Sequence, residues 1–150
     1  MSREVRRVTQ DWEHPKDELT GRYKPLFPYD YYESLKEEFL TELIKNGLQS
    51  AIDEYGSAPD INNYMPNWSD EDKTHYMMYE TTSEGTPKSP AFATPEELAR
   101  WLVDNNASAF ANQTATYEAW LRVANGGFAV SAVYTPENGL QSGVEALTNA

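Results

Sequence analysis

The sequence predicts an α+β fold in which about three helices pack on a short antiparallel sheet. Three observations predict it. Apolar residues recur at helical spacing in three stretches, roughly 30–46, 95–105 and 115–125. A Tyr- and Thr-rich run over 74–82 has the composition of a strand. At 150 residues, with no internal repeat and no linker-like stretch, the chain fits a single domain.

The first 28 residues read as extended pieces and turns. Val5 and Val8 flank arginines, and Trp12 precedes the turn-rich His14-Pro15-Lys16-Asp17. Gly21 then opens a β-like piece over 22–27, where Pro25 argues for an edge position. In the first helix Asp30 and Glu33 have the spacing of a capping box, with Asp in place of Ser or Thr. Tyr32, Leu35, Phe39, Leu40 and Leu43 gather on one side, and Glu33, Glu37, Glu38 and Glu42 on the other. Asn46-Gly47 is a stop signal, and a second short helical piece fits 48–55 before Gly56.

Residues 56–73 read as a loop anchored by Tyr64 and Trp68. The 74–82 strand ends at the turn Ser83-Glu84-Gly85-Thr86, after which Pro87 and Pro90 keep the chain irregular. Thr94-Pro95-Glu96-Glu97 is the clearest local signal: a hydroxyl cap, proline at the first helical position, and Glu three residues after the cap. Leu98, Trp101 and Leu102 then mark an inner face. The third helix follows Thr114, carries Tyr117, Trp120 and Leu121 at the same spacing, and stops at Asn125-Gly126-Gly127. A short strand over 129–134 follows. The Gly- and Asn-rich tail from about residue 136 reads as mobile.

Composition removes several chemistries. With no cysteine there is no disulfide scaffold, Cys-zinc site, thiol nucleophile or iron–sulfur cluster. No apolar run approaches the ~18 residues needed to span a bilayer, and the basic N-terminal stretch lacks an apolar segment behind it, so a cytoplasmic protein is expected. The formal charge of −12 is uneven: residues 1–24 carry +1 and residues 25–150 carry −13. Such a field repels nucleic acid and anionic membrane and attracts basic protein surfaces.

No motif points to a reaction. Neither G-x-G-x-x-G, a P-loop nor G-x-S-x-G occurs, so neither a nucleotide site nor a nucleophile elbow is expected. His14 sits among Asp11, Glu13, Asp17 and Glu18, but no second histidine stands at ligand spacing, and no metal or cofactor is expected. The region 30–84 holds thirteen acids against three lysines. This is either a solvated face or a negative surface that docks a basic partner or mimics phosphates. Tyr29, Tyr31, Tyr32, Tyr64, Trp68, Tyr76 and Tyr79 supply rings for the core or for a contact patch, since Tyr and Trp dominate interface hot spots.

Several stretches, Asp11-Trp12-Glu13-His14-Pro15, Thr74-His75-Tyr76, Met78-Tyr79-Glu80-Thr81-Thr82-Ser83-Glu84-Gly85-Thr86-Pro87 and Thr94-Pro95-Glu96-Glu97-Leu98-Ala99-Arg100-Trp101-Leu102, resemble a family of small acidic proteins encoded by tailed bacteriophages and prophages. The resemblance covers most of the chain outside 29–60. It implies phage origin and expression in the host bacterial cytoplasm, and it carries over no functional residue.

Together these readings favour a non-enzymatic phage accessory protein. It would bind a host protein with a basic surface, a nucleic-acid-handling or anti-phage defence component, through Glu33, Glu37, Glu38, Glu42, Tyr29 and Tyr31, with nucleic-acid mimicry as one form of this. The alternative is a small enzyme or ligand-binding domain with a pocket around Trp12, His14, Tyr76, Tyr79 and Glu80. A minor virion or assembly component is a third reading. No direct nucleic-acid or membrane partner is expected, and the oligomeric state is open.

Overall fold

The structure is a computed structural model and describes residues 2–81 and 84–146. Its elements run β1 (Arg3–Val8), α1 (Tyr29–Asn46), α2 (Leu48–Tyr55), a 3-10 turn (Ile61–Asn63), β2 (His75–Glu80), α3 (Pro95–Asp104), α4 (Tyr117–Gly126), β3 (Phe128–Ala129), β4 (Ala132–Thr135), β5 (Gly139–Ser142) and α5 (Gly143–Ala146). This is an α+β architecture. The chain divides into two compact units: Pro25–Asn67, and the rest, formed by the residues up to Lys24 together with those from Trp68 onward.

In the larger unit a three-stranded antiparallel sheet has the order β2-β1-β3, with Val5 opposite Met78 and Arg3 opposite both Glu80 and Ala129. Successive side chains of a strand point to opposite faces. Met78 lies in the core with Leu98 and Leu102 of α3, Trp120 and Val123 of α4, and Val144 of α5. Met77 and Tyr79, on the other face, are buried too. Both faces of β2 are therefore covered, which explains its burial over three consecutive residues.

Local signals account for the helix starts here. Thr94 Oγ1 accepts from Glu97 N at 3.1 Å with Pro95 behind it, and Thr116 Oγ1 accepts from Ala119 N at 3.2 Å. Gly127, at φ +112°, ends α4. The strand expected over 129–134 is divided into β3 and β4, which belong to different sheets. The tail expected from about residue 136 carries secondary structure. Residues 139–146 complete the β4–β5 hairpin and α5, and Ser142, Gly143 and Val144 are buried. Gly143 is there because of close approach: a Cβ on it would stand 1.9 Å from the Val130 carbonyl oxygen. Thr82 and Ser83, read as the strand end and the first turn residue, lie outside the described residues, as does the tail beyond Ala146.

The smaller unit is a helical hairpin followed by a loop. The chain leaves α1 at Gly47, φ +89°, and enters α2 directly. Phe27 pairs with the loop through Phe27 N to Asn63 O and Met65 N to Phe27 O, at 3.0 and 2.7 Å. Two expectations for α1 are corrected. Asp30 lies inside the first turn, and the position before the helix is Pro28, with no side-chain cap. Of the expected inner residues only Phe39 is buried. Leu35 and Leu40 are exposed, and Tyr32 and Leu43 are half-buried. One short partner helix cannot cover an 18-residue helix along its length.

Candidate functional site

The acidic face and the expected pocket fall on different units.

On α1, Ser34, Glu37, Glu38, Thr41 and Glu42 follow one another at i, i+3, i+4, i+7 and i+8, a continuous stripe along the helix. With Tyr55 of α2 they line a shallow depression of about 410 Å³. Burial raises the Tyr55 phenol pKa, and the charges of Glu38, Glu54 and Glu42 raise it further. Glu42 accepts from Asn46 Nδ2 at 2.8 Å and Ser50 Oγ at 2.6 Å, and these bonds lower its pKa. The Glu37 backbone carbonyl accepts from Thr41 Oγ1 at 2.8 Å, but the carboxylates of Glu37 and Glu38 make no hydrogen bond or ion pair among the described residues. Glu33 stands apart from this group. It accepts the Tyr29 hydroxyl proton, which lowers its pKa, and faces Lys36 at 3.7 Å.

Tyr29 in turn packs on Tyr32, with ring centroids 5.6 Å apart, so it anchors the start of α1 and is not a free contact residue. Tyr31 is well exposed. Exposed apolar residues stand among the carboxylates, and Ile44, Leu48 and Ile52 were not expected there. Ile44 is 85% exposed, Leu48 59%, Leu40 45% and Ile52 39%. Leu40 and Ile44 stand three and seven residues after Glu37, and Leu48, Ile52 and Tyr55 share a face of α2. The spacing of Leu48, Ile52 and Tyr55 was the signal available in the sequence.

In the larger unit the second set of residues divides. Trp12 and His14 line an open cleft of about 990 Å³, whereas Tyr76, Tyr79 and Glu80 do not. Tyr79 lies behind the cleft wall and is fully buried. The Trp12 indole N–H donates to Tyr79 Oη at 3.0 Å. His14 Nδ1 is 2.9 Å from the same oxygen, and its Nε2 meets the Lys24 carbonyl. A carbonyl only accepts, so Nε2 carries the proton, Nδ1 accepts, and the Tyr79 hydroxyl donates to it. Arg6 lies 4.3 Å over the Tyr79 ring and is held by Glu4 at 2.9 Å.

Burial lowers the His14 pKa, outweighing the Lys24 bond that raises it, and Arg6 lowers it further. Burial also pushes the Tyr79 pKa up to about 12. Both groups are therefore neutral near pH 7 and fully partnered, Tyr79 is fully buried, and His14 shows only its edge to the cleft. The network fastens the 9–24 loop to the sheet and does not form an acid–base pair. Tyr76 carries the Arg7 guanidinium over its ring at 4.1 Å, and Glu80 pairs with Arg3 and Lys88 at 3.5 and 3.1 Å.

No group of three or more metal-ligating side chains occurs among the described residues, and no described helix is long and apolar enough to cross a membrane. No protein-family model, curated protein or solved structure matches the chain.

Proposed function

We propose that this chain is a binding protein whose α1–α2 hairpin docks a basic partner protein. In the setting its phage resemblance implies, that partner is a host component met in the bacterial cytoplasm. One observation carries the reading: exposed aliphatic side chains (Leu40, Ile44, Leu48, Ile52) lie on the same hairpin as Glu37, Glu38, Glu42 and Glu54, which are offset by only Lys36 and Lys45 on its two helices. Single exposed apolar residues are ordinary, but four on one short hairpin are surface that the fold does not use. Aliphatic contact supplies affinity while the carboxylates steer and orient a cationic partner.

The same geometry favours a protein partner over phosphate mimicry. Glu37 to Glu42 spans about 7.5 Å of helix axis, over which duplex DNA shows roughly four phosphates. The hairpin supplies that local density over less than one turn of duplex and interrupts it with leucine and isoleucine. Such a mixed surface suits an amphipathic basic segment.

Capture from bacterial lysate with the native chain, repeated with Glu37, Glu38 and Glu42 changed to Gln and separately with Ile44→Ser, tests the reading. The partner should be lost with both variants. A partner retained by both would remove the hairpin from the account.

A further inference from the structure

The proposed hairpin interface uses no residue of the larger unit's cleft. The geometry points to that cleft as a docking groove for a proline-rich segment in polyproline II conformation that carries a flanking arginine or lysine.

The cleft runs beside β2, whose outer edge would otherwise accept an extended peptide by strand addition. That edge is already taken. Tyr76 N donates to Phe92 O at 2.7 Å and Phe92 N to Tyr76 O at 2.9 Å. Lys88 N donates to Met78 O at 2.7 Å, and Met78 N to Ser89 Oγ at 2.9 Å. No ladder position is left over this stretch for an incoming strand. At about 990 Å³ and open to solvent, the cleft is also at the upper limit for enclosing a small ligand.

The cleft does offer half-exposed rings and hydrogen-bond donors. Trp12, Tyr23 and Trp101 line it. Trp12 is a fixed ridge, held by its bond to Tyr79 and edge-on to Trp68 with centroids 4.9 Å apart. Tyr23 Oη and Trp101 Nε1 make no hydrogen bond among the described residues. A polyproline II chain has no internal hydrogen bonds, so its carbonyls seek donors while its proline rings seek aromatic faces. Donors beside fixed aromatic ridges match that demand, and the rigid wall lowers the ordering cost of binding.

Charge sets the flanking residue. Asp11 and Glu13 line the cleft, are exposed and make no ion pair among the described residues. Of the two lysines present, Lys88 is paired with Glu80, while Lys16, over the Tyr23 ring at 5.1 Å, keeps its charge, so two unpaired carboxylates face one unpaired ammonium among the described residues. A cationic side chain on the ligand therefore meets the two carboxylates.

The test titrates the full chain, labelled with nitrogen-15, with a synthetic arginine-flanked PxxP peptide, following the indole N–H resonances. Two control peptides replace the prolines by alanine or the arginine by glutamate. Saturable binding centred on the Trp101 indole is expected. It should weaken about tenfold or more on loss of the prolines and severalfold with Asp11→Asn plus Glu13→Gln. Tyr23→Phe, on an exposed ring, removes one donor and should weaken binding without unfolding the chain, which covers the case in which Trp101→Ala misfolds. Absence of saturable binding, or equal affinity for the alanine peptide, would overturn the proposal. Because no residue of α1 or α2 is used, this result and that of the hairpin test are independent.

Discussion

The Tyr79 network and the α1–α2 hairpin both concentrate polar and aromatic side chains, and they do opposite things with them. Around Tyr79 every donor has an acceptor. The Trp12 indole, the Tyr79 hydroxyl and both nitrogens of His14 are used within the fold, and the ring is fully buried. On the hairpin, Glu37 and Glu38 are unpaired among the described residues and Ile44 is almost fully exposed. A polar cluster that is closed on itself holds a structure together. One left open beside apolar surface has interaction capacity that the fold does not consume.

The largest expected effect falls on the closed side. His14→Ala removes the acceptor of the Tyr79 proton and the donor to Lys24 O, leaving buried polar groups unsatisfied, and should cost about 2–4 kcal/mol in chemical denaturation. Gly143→Ala, which forces a Cβ into the Val130 carbonyl, should cost about 1–3 kcal/mol by the same measurement.

pH sharpens the contrast. The His14 pKa is lower in the folded chain than its ordinary value near 6.5. Below that value the unfolded chain takes up the proton first, so stability is full above it and declines as pH falls toward the lowered folded-state value. Denaturation midpoints measured across this window should drop for the native chain and flatten for His14→Ala. The smallest effect belongs to the open side: Glu38→Gln removes a like-charge i, i+4 pair with Glu42 and should leave stability unchanged or raise it by a few tenths of a kcal/mol.

What was legible in the sequence follows the range of the interaction. Thr94-Pro95-Glu96-Glu97 is a local device, and the helix begins where it says. Leu98, Leu102 and Trp120 are buried as their spacing implies. Non-local features were hidden. Nothing within Arg3–Val8 shows that it is the central strand, and nothing near Gly143 shows that Val130 will press against it. The reason for glycine at 143 was not legible because the backbone contact requiring it lies thirteen residues upstream. On α1, periodicity identified an apolar side but not whether the fold supplies a partner to cover it. The alternative pocket was half legible for a similar reason. Alternation along β2 places Tyr79 on the face beneath the 9–24 loop and Tyr76 on the face of the helices, so the two cannot share one cavity.

The central claim is that the hairpin's open face is an interface, and affinity decides it. Titrating the purified captured partner into the native chain, Ile44→Ser and the Glu37/Glu38/Glu42→Gln variant, with thermal stability measured alongside, separates binding from folding. The account predicts about tenfold or greater loss of affinity for each variant at unchanged stability. Native affinity in both variants would contradict it.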